Sequence, residues 1–109
     1  MKQRRKIIAV DFDGTLFTDE YPEVGYPIWK VIDYCKEQKA KGAILILWTC
    51  RNGADLTEAI ELSRSVGIDF DYVNENTREN LAMYGGRDNR KIYADEYIDD
   101  RARSLREFA

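Results

Sequence analysis

With 109 residues the chain supports one domain around one core and leaves no room for a separate substrate domain. Charged residues make up 34% of it at a net charge of −3, with acidic groups spread along its length, which argues against a protein that coats nucleic acid. Histidine is absent, so Ser-His and Cys-His catalysis and the commonest zinc ligand are excluded and any chemistry must run on carboxylates.

Lys2, Arg4, Arg5 and Lys6 make a basic leader, residues 1 to 5 with the first strand residue, that is either solvated or steers an anionic ligand. Ile7-Ile8-Ala9-Val10 then reads as a buried strand running into Asp11-Phe12-Asp13-Gly14-Thr15-Leu16. Phe17 to Gly25 reads as a polar and aromatic loop. Pro27 suits the first turn of a helix whose face is Ile28, Val31, Ile32 and Cys35 and which Gly42 closes. The unbroken apolar run Ala43 to Trp48 predicts a strand buried on both faces, so strand, helix and strand form a βαβ unit.

Asn52-Gly53 is the next turn, and Asp55 with Glu58 resembles a capping box opening a helix with the stripe Leu56, Ala59, Ile60 and Val66, ended by Gly67. Phe70 to Asn74 reads as a third strand at or near a sheet edge. Thr77 caps a short helix that stops at Gly85-Gly86, and Arg87 to Arg90 is a charged linker. Tyr97-Ile98-Asp99-Asp100 predicts a last strand ending in carboxylates, and Arg101 to Phe108 a closing helix. The apolar runs are too short for a signal peptide or a membrane span, and Cys35 and Cys50 make no disulfide framework, so a cytoplasmic protein without a membrane partner is expected. Cys50 reads as a small buried residue at a strand end.

The chemistry sits at the strand ends. Asp11, where the first strand stops, can attack an electrophile, while Asp13, past the bend that Gly14 permits, can protonate a leaving oxygen and later activate water. Thr49 and the backbone N–H groups beside it can hold phosphate oxygens after the second strand. Arg51 reads as a substrate contact or as a surface arginine beside a turn. Asp99 and Asp100 repel each other, which a divalent cation would compensate.

Asp11-Phe12-Asp13-Gly14-Thr15 resembles the first motif of the haloacid dehalogenase superfamily, Thr49 after its apolar strand resembles the second, and Asp99-Asp100 the fourth. The resemblance covers Lys6 to about Arg103. It implies a three-layer α/β sandwich with a mostly parallel Rossmann-like sheet. The intervals after the first motif and after Thr49 are too short for a cap domain, and Phe17 to Gly25 is left as a vestigial lid.

The same resemblance implies an aspartyl nucleophile at Asp11, a general acid and base at Asp13, and Mg²⁺ held by Asp11, the Asp13 carbonyl and Asp100, with Asp99 behind. Its third motif is a lysine that neutralises the phosphoryl group, and Lys91 is the one lysine after Thr49. An unbroken strand from Lys91 to Asp100 would hold them roughly 30 Å apart at about 3.3 Å per residue, so the role requires the chain to fold back. Arg51 or Arg90 would otherwise substitute. The expected activity is Mg²⁺-dependent hydrolysis of a phosphorylated substrate through an aspartyl phosphate. Phosphotransfer to another hydroxyl, a non-catalytic module binding phosphate or nucleic acid, and a homo-oligomeric state stand as alternatives.

Overall fold

The computed structural model describes residues 4–108. Along the chain run β1 (Ile7–Val10), β2 (Phe17–Glu20), β3 (Glu23–Pro27), α1 (Trp29–Ala40), β4 (Ile44–Leu47), α2 (Gly53–Ser65), β5 (Tyr72–Val73), α3 (Arg78–Met83) and β6 (Glu96–Ile98). Strands β5, β4, β1 and β6 form, in that order, one parallel sheet, and β2 and β3 form an antiparallel hairpin. The protein is an α/β molecule with a mostly parallel sheet flanked by helices.

Both central strands are apolar at every position because both faces of the sheet are covered. Ile8, Val10, Leu45 and Leu47 pack against Ile32 and Cys35 of α1 and Ala59 of α2. Ile7, Ala9, Ile44 and Ile46 face the other way, onto Ile92, with Trp48, Tyr72 and Ala94 around it. Among the described residues no helix is long and apolar enough to cross a membrane.

The strand order positions the site. From β1 the chain steps outward to β4 and β5, then returns to lay β6 on the opposite side of β1. Where such a sheet reverses direction, the connections leave in opposite directions and open a crevice beyond the carboxyl ends of the strands. Here that crevice lies outside Val10 and Ile98.

Several local expectations are corrected. Phe17 to Gly25 is not a loop but most of the β2–β3 hairpin, because Phe17 is buried and Val24 packs against the core despite acidic neighbours that disguise the strands. Gly25 fits only as glycine, since a Cβ there would lie 2.0 Å from the Thr18 hydroxyl oxygen. Pro27 therefore closes β3, and α1 begins two residues later, with no side-chain cap. Helix α2 starts at Gly53, which places Asp55 and Glu58 inside it rather than at its cap. Beyond β6, among the described residues, only a 3₁₀ turn forms, at Leu105–Glu107, because Leu105 and Phe108 lie exposed and no apolar stripe is buried to hold a helix. Thr77 does cap α3, accepting the Asn80 N–H, and β5 does lie at the sheet edge.

Candidate active site

Asp11 is the first residue past β1 and Asp99 the first past β6, and the Asp11 N–H donates to the Ile98 carbonyl at 2.9 Å, so the sheet itself sets the two residues side by side. Asp11, Asp99 and Asp100 each bring one carboxylate oxygen within 4.8 Å of the others. The bend after Asp11 winds around the Phe12 carbonyl, which accepts the N–H groups of Thr15, Leu16 and Phe17.

Gly14 and Thr15 fasten this bend to the loop after β6. Gly14 has φ +82°, and a Cβ on it would stand 2.3 Å from Asp100 Oδ2, so the absence of a side chain is what lets Asp100 approach. The buried Thr15 hydroxyl accepts the Asp100 N–H at 3.1 Å.

The cost of this crowding falls on Asp11, whose carboxyl is pushed up from 3.8 to about 6. Burial is the main cause; the Phe12 N–H opposes it, and the charges of Asp99, Asp100 and Asp13 add repulsion. Among the described residues no lysine or arginine forms an ion pair with Asp11, Asp99 or Asp100, the nearby guanidiniums being those of Arg51 on Asp13 and Arg101 on Asp19. Three hard oxygen donors without a cation suit a divalent ion that prefers oxygen ligands.

Arg51 lies in the cleft wall but turns its donors onto the protein. Its side chain is only 1% exposed, and its Nε and one terminal nitrogen donate to the two oxygens of Asp13 at 2.8 and 2.7 Å. The same group donates to the carbonyls of Pro22, Glu23 and Asp55, at 3.3, 3.0 and 3.4 Å. A guanidinium has five N–H donors, and all five are spent on the protein. The rings of Phe12 and Tyr21 also lie 5.1 and 5.2 Å from its central carbon. Arg51 thus ties Asp13, the β2–β3 hairpin and the start of α2 together, and the expectation that it contacts substrate is corrected: no donor remains.

Thr49 lines the cleft. Its N–H donates to Asn74 Oδ1 at 2.8 Å, from an Asn74 held in the left-handed region at φ 53°, and its hydroxyl oxygen accepts the Arg51 N–H at 3.1 Å. The Thr49 hydroxyl proton is left to donate, and among the described residues the Cys50 N–H meets no acceptor. Cys50 itself is exposed on the cleft, contrary to the buried position expected, while Cys35 is buried and its thiol is pushed up to about 11.

Lys91 does not line the cleft. Its ammonium lies 5.4 Å from the centroid of the Tyr97 ring, in a separate hollow with Asn76, Tyr84 and Tyr93. Ahead of β6, Ile92 turns into the sheet face and the Asp95 N–H bonds the Ile7 carbonyl at 2.7 Å, fixing the segment beside the start of β1. Arg90 is not at the cleft either. The basic leader is occupied too: Arg4 bonds Asp95, Arg5 the Gly42 carbonyl, and Lys6 pairs with Glu96, all at the end of β1 remote from Asp11. Lys2 lies outside the described residues.

The cleft that results has a volume of about 430 Å³, walled by Asp11, Asp13 and Asp99, Thr49 to Arg51, Asp19 and Tyr21 of the hairpin, and Arg101. The latter three were not singled out in the sequence. Fold and cleft together define a parallel α/β protein with an acidic crevice at the switch point of its sheet. The chain is similar to a solved structure described as that of the conserved protein coded by a locus from Bacteroides thetaiotaomicron, with 38% identity over 91% of this chain and 78% of that one and a TM-score of 0.78. It belongs to the family of that conserved protein. No protein-family model matches the chain, and no curated protein does.

Proposed function

We propose that the protein is a Mg²⁺-dependent phosphohydrolase of the haloacid dehalogenase type, capless, with the sheet layered between helices as in that superfamily, working through an aspartyl phosphate on Asp11. One observation carries the reading: three carboxylates from two loops converge within 4.8 Å at the switch-point crevice, with Asp13 clamped on the same bend. A cluster of like charges at that cost has a use when it binds a cation and a charged substrate.

The donor set fits Mg²⁺, which Asp11, Asp99 or Asp100 and the Asp13 carbonyl would hold, and which when bound supplies charge stabilisation to the phosphoryl oxygens. The Asp11 carboxylate oxygen attacks phosphorus, and the bond to the leaving oxygen breaks, its electron pair going with that oxygen, which takes a proton from Asp13 or from solvent. In the second half, water gives a proton to Asp13 and attacks the same phosphorus, returning the Asp11 carboxylate and releasing inorganic phosphate. The Thr49 hydroxyl and Cys50 N–H are the donors placed to orient the phosphoryl group.

Arg51 constrains how Asp13 serves. Each oxygen of Asp13 carries one Arg51 bond and retains a lone pair, so accepting a proton from water needs no rearrangement. The proton so held can be delivered from the same lone pair to a leaving alkoxide. Esters with acidic leaving groups, which need little protonation, make the simplest probes of the attack by Asp11. Turnover of p-nitrophenyl phosphate with Mg²⁺, and its loss on chelation and in Asp11→Asn, tests the reading; metal-independent turnover, or none with any of a panel of phosphate esters, overturns it.

A further inference from the structure

Once a phosphate enters this crevice, its charge has to be met by a cation with free donors, and among the described residues the geometry leaves one candidate. Lys91 is elsewhere and every N–H of Arg51 is used. Among the described residues the other cation on the cleft wall is Arg101. Its backbone N–H donates to Asp99 Oδ1 at 2.9 Å, so the residue that closes the carboxylate cluster also turns the chain where Arg101 projects. Its guanidinium reaches across to the hairpin, where it stands 3.7 Å from Asp19 Oδ2, with the two side chains 81% and 40% exposed.

That contact is too long for a hydrogen bond and too exposed to bind firmly; such pairs contribute about 0–1 kcal/mol. Asp19 is meanwhile kept on the hairpin by accepting the Tyr21 N–H at 3.2 Å. The pair thus spans the mouth from the loop after β6 to the hairpin and is easily exchanged. A phosphate dianion presents a guanidinium with more charge and with paired oxygens matching its fork, so it wins the exchange against one solvated carboxylate.

We propose that Arg101 is the cation that binds the substrate's phosphoryl oxygens, and that Asp19 is its competitor, holding it over the mouth until a phosphate displaces it. The assignment rests on the phosphohydrolase reading and supplies the cation that reading lacks. It also gives opposite signs for two neighbouring charge changes. Arg101→Ala should raise the inhibition constant of inorganic phosphate about 10- to 100-fold and lower kcat/KM on p-nitrophenyl phosphate by at least as much, with Arg101→Lys intermediate. Added guanidinium should restore part of the Arg101→Ala loss, which a merely structural role would not allow. Asp19→Asn should tighten phosphate binding, by about two- to fivefold, since only a weak contact is removed.

Lys91→Ala is the comparison, expected to stay within about twofold of wild type. The experiment uses the whole chain with Mg²⁺, and thermal melts confirm that each variant is folded. If wild type turns over the ester while Arg101→Ala binds phosphate equally well, or if Asp19→Asn weakens binding in parallel with Arg101→Ala, the assignment fails and the phosphohydrolase reading survives. If wild type neither turns over any ester nor binds inorganic phosphate by calorimetry, the phosphohydrolase reading itself fails and the assignment falls with it.

Discussion

Asp11→Asn should make the metal-free protein more stable while abolishing its chemistry. The amide keeps the carbonyl oxygen that the Phe12 N–H meets and removes one charge from a site shared with Asp99, Asp100 and Asp13. Lifting the carboxyl from 3.8 to about 6 corresponds to at most about 3 kcal/mol of cost to the ionised folded state. Partial exposure and salt screening reduce this to about 1–2 kcal/mol. At about 2.1 cal/mol/K of unfolding entropy per residue, the Tm should rise by roughly 4–8 °C for a domain of this size.

The sign follows from proton linkage. The folded protein holds the Asp11 proton up to about pH 6 and the unfolded chain only to 3.8, so wild type loses stability as the pH rises through that window. The advantage of Asp11→Asn should therefore be full above pH 6, shrink as the pH falls and vanish below about pH 4. Melts followed by circular dichroism in EDTA between pH 4 and 8 measure it. Saturating Mg²⁺ should reverse the order, because the ion binds the folded wild type more tightly. An Asp11→Asn protein no more stable than wild type in EDTA at pH 7, or one whose advantage grows toward acid, would refute the electrostatic picture of the crevice.

Arg51→Met leaves Asp13 without its buried partner and should cost about 3–5 kcal/mol in urea melts. The released hairpin should exchange its amide hydrogens faster over Phe17–Pro27, and unchanged protection there would show that Arg51 is not what fastens it. In Gly14→Ala the new Cβ meets Asp100 Oδ2, so Mg²⁺ affinity by calorimetry should fall about tenfold or more, and wild-type affinity would show that Asp100 is not a ligand. Asp95, held down at about 2 by Arg4 and the Ile7 N–H, should lose about 1–2 kcal/mol at neutral pH when replaced by Asn. That difference is present above pH 3.8 and should narrow as the pH falls toward 2; a pH-independent difference would rule out the charge as its source.

The sheet and its strand ends were legible because β1 and β4 are buried on both faces and had to be written as unbroken apolar runs, which put Asp11 and Thr49 where polar residues begin. Thr77 and the edge position of β5 were legible for similarly local reasons. The hairpin was not, since only Phe17 and Val24 of its strands pack into the core, among acidic neighbours, and Arg51 from a distant part of the chain fastens its turn. The role of Arg51 was hidden for the same reason: only the folded structure shows that Asp13 and three carbonyls take all its donors. Lys91 was misplaced because position in the order of motifs says nothing about which way Ile92 turns. Arg101 carried a readable signal, a basic residue directly after Asp99-Asp100, but its meaning depended on knowing that the other cations were spent.

Acid-quenching the wild-type protein during Mg²⁺-dependent turnover of a phosphate ester, followed by mass spectrometry of its peptides, tests the covalent chemistry most directly. One phosphoryl group should appear on the peptide containing Asp11, at Asp11 itself, should accumulate in Asp13→Asn, and should be absent from Asp11→Asn. A turning-over enzyme that carries no phosphoryl group under those conditions in either protein, or carries it on another residue, would contradict the assignment of Asp11 as the nucleophile.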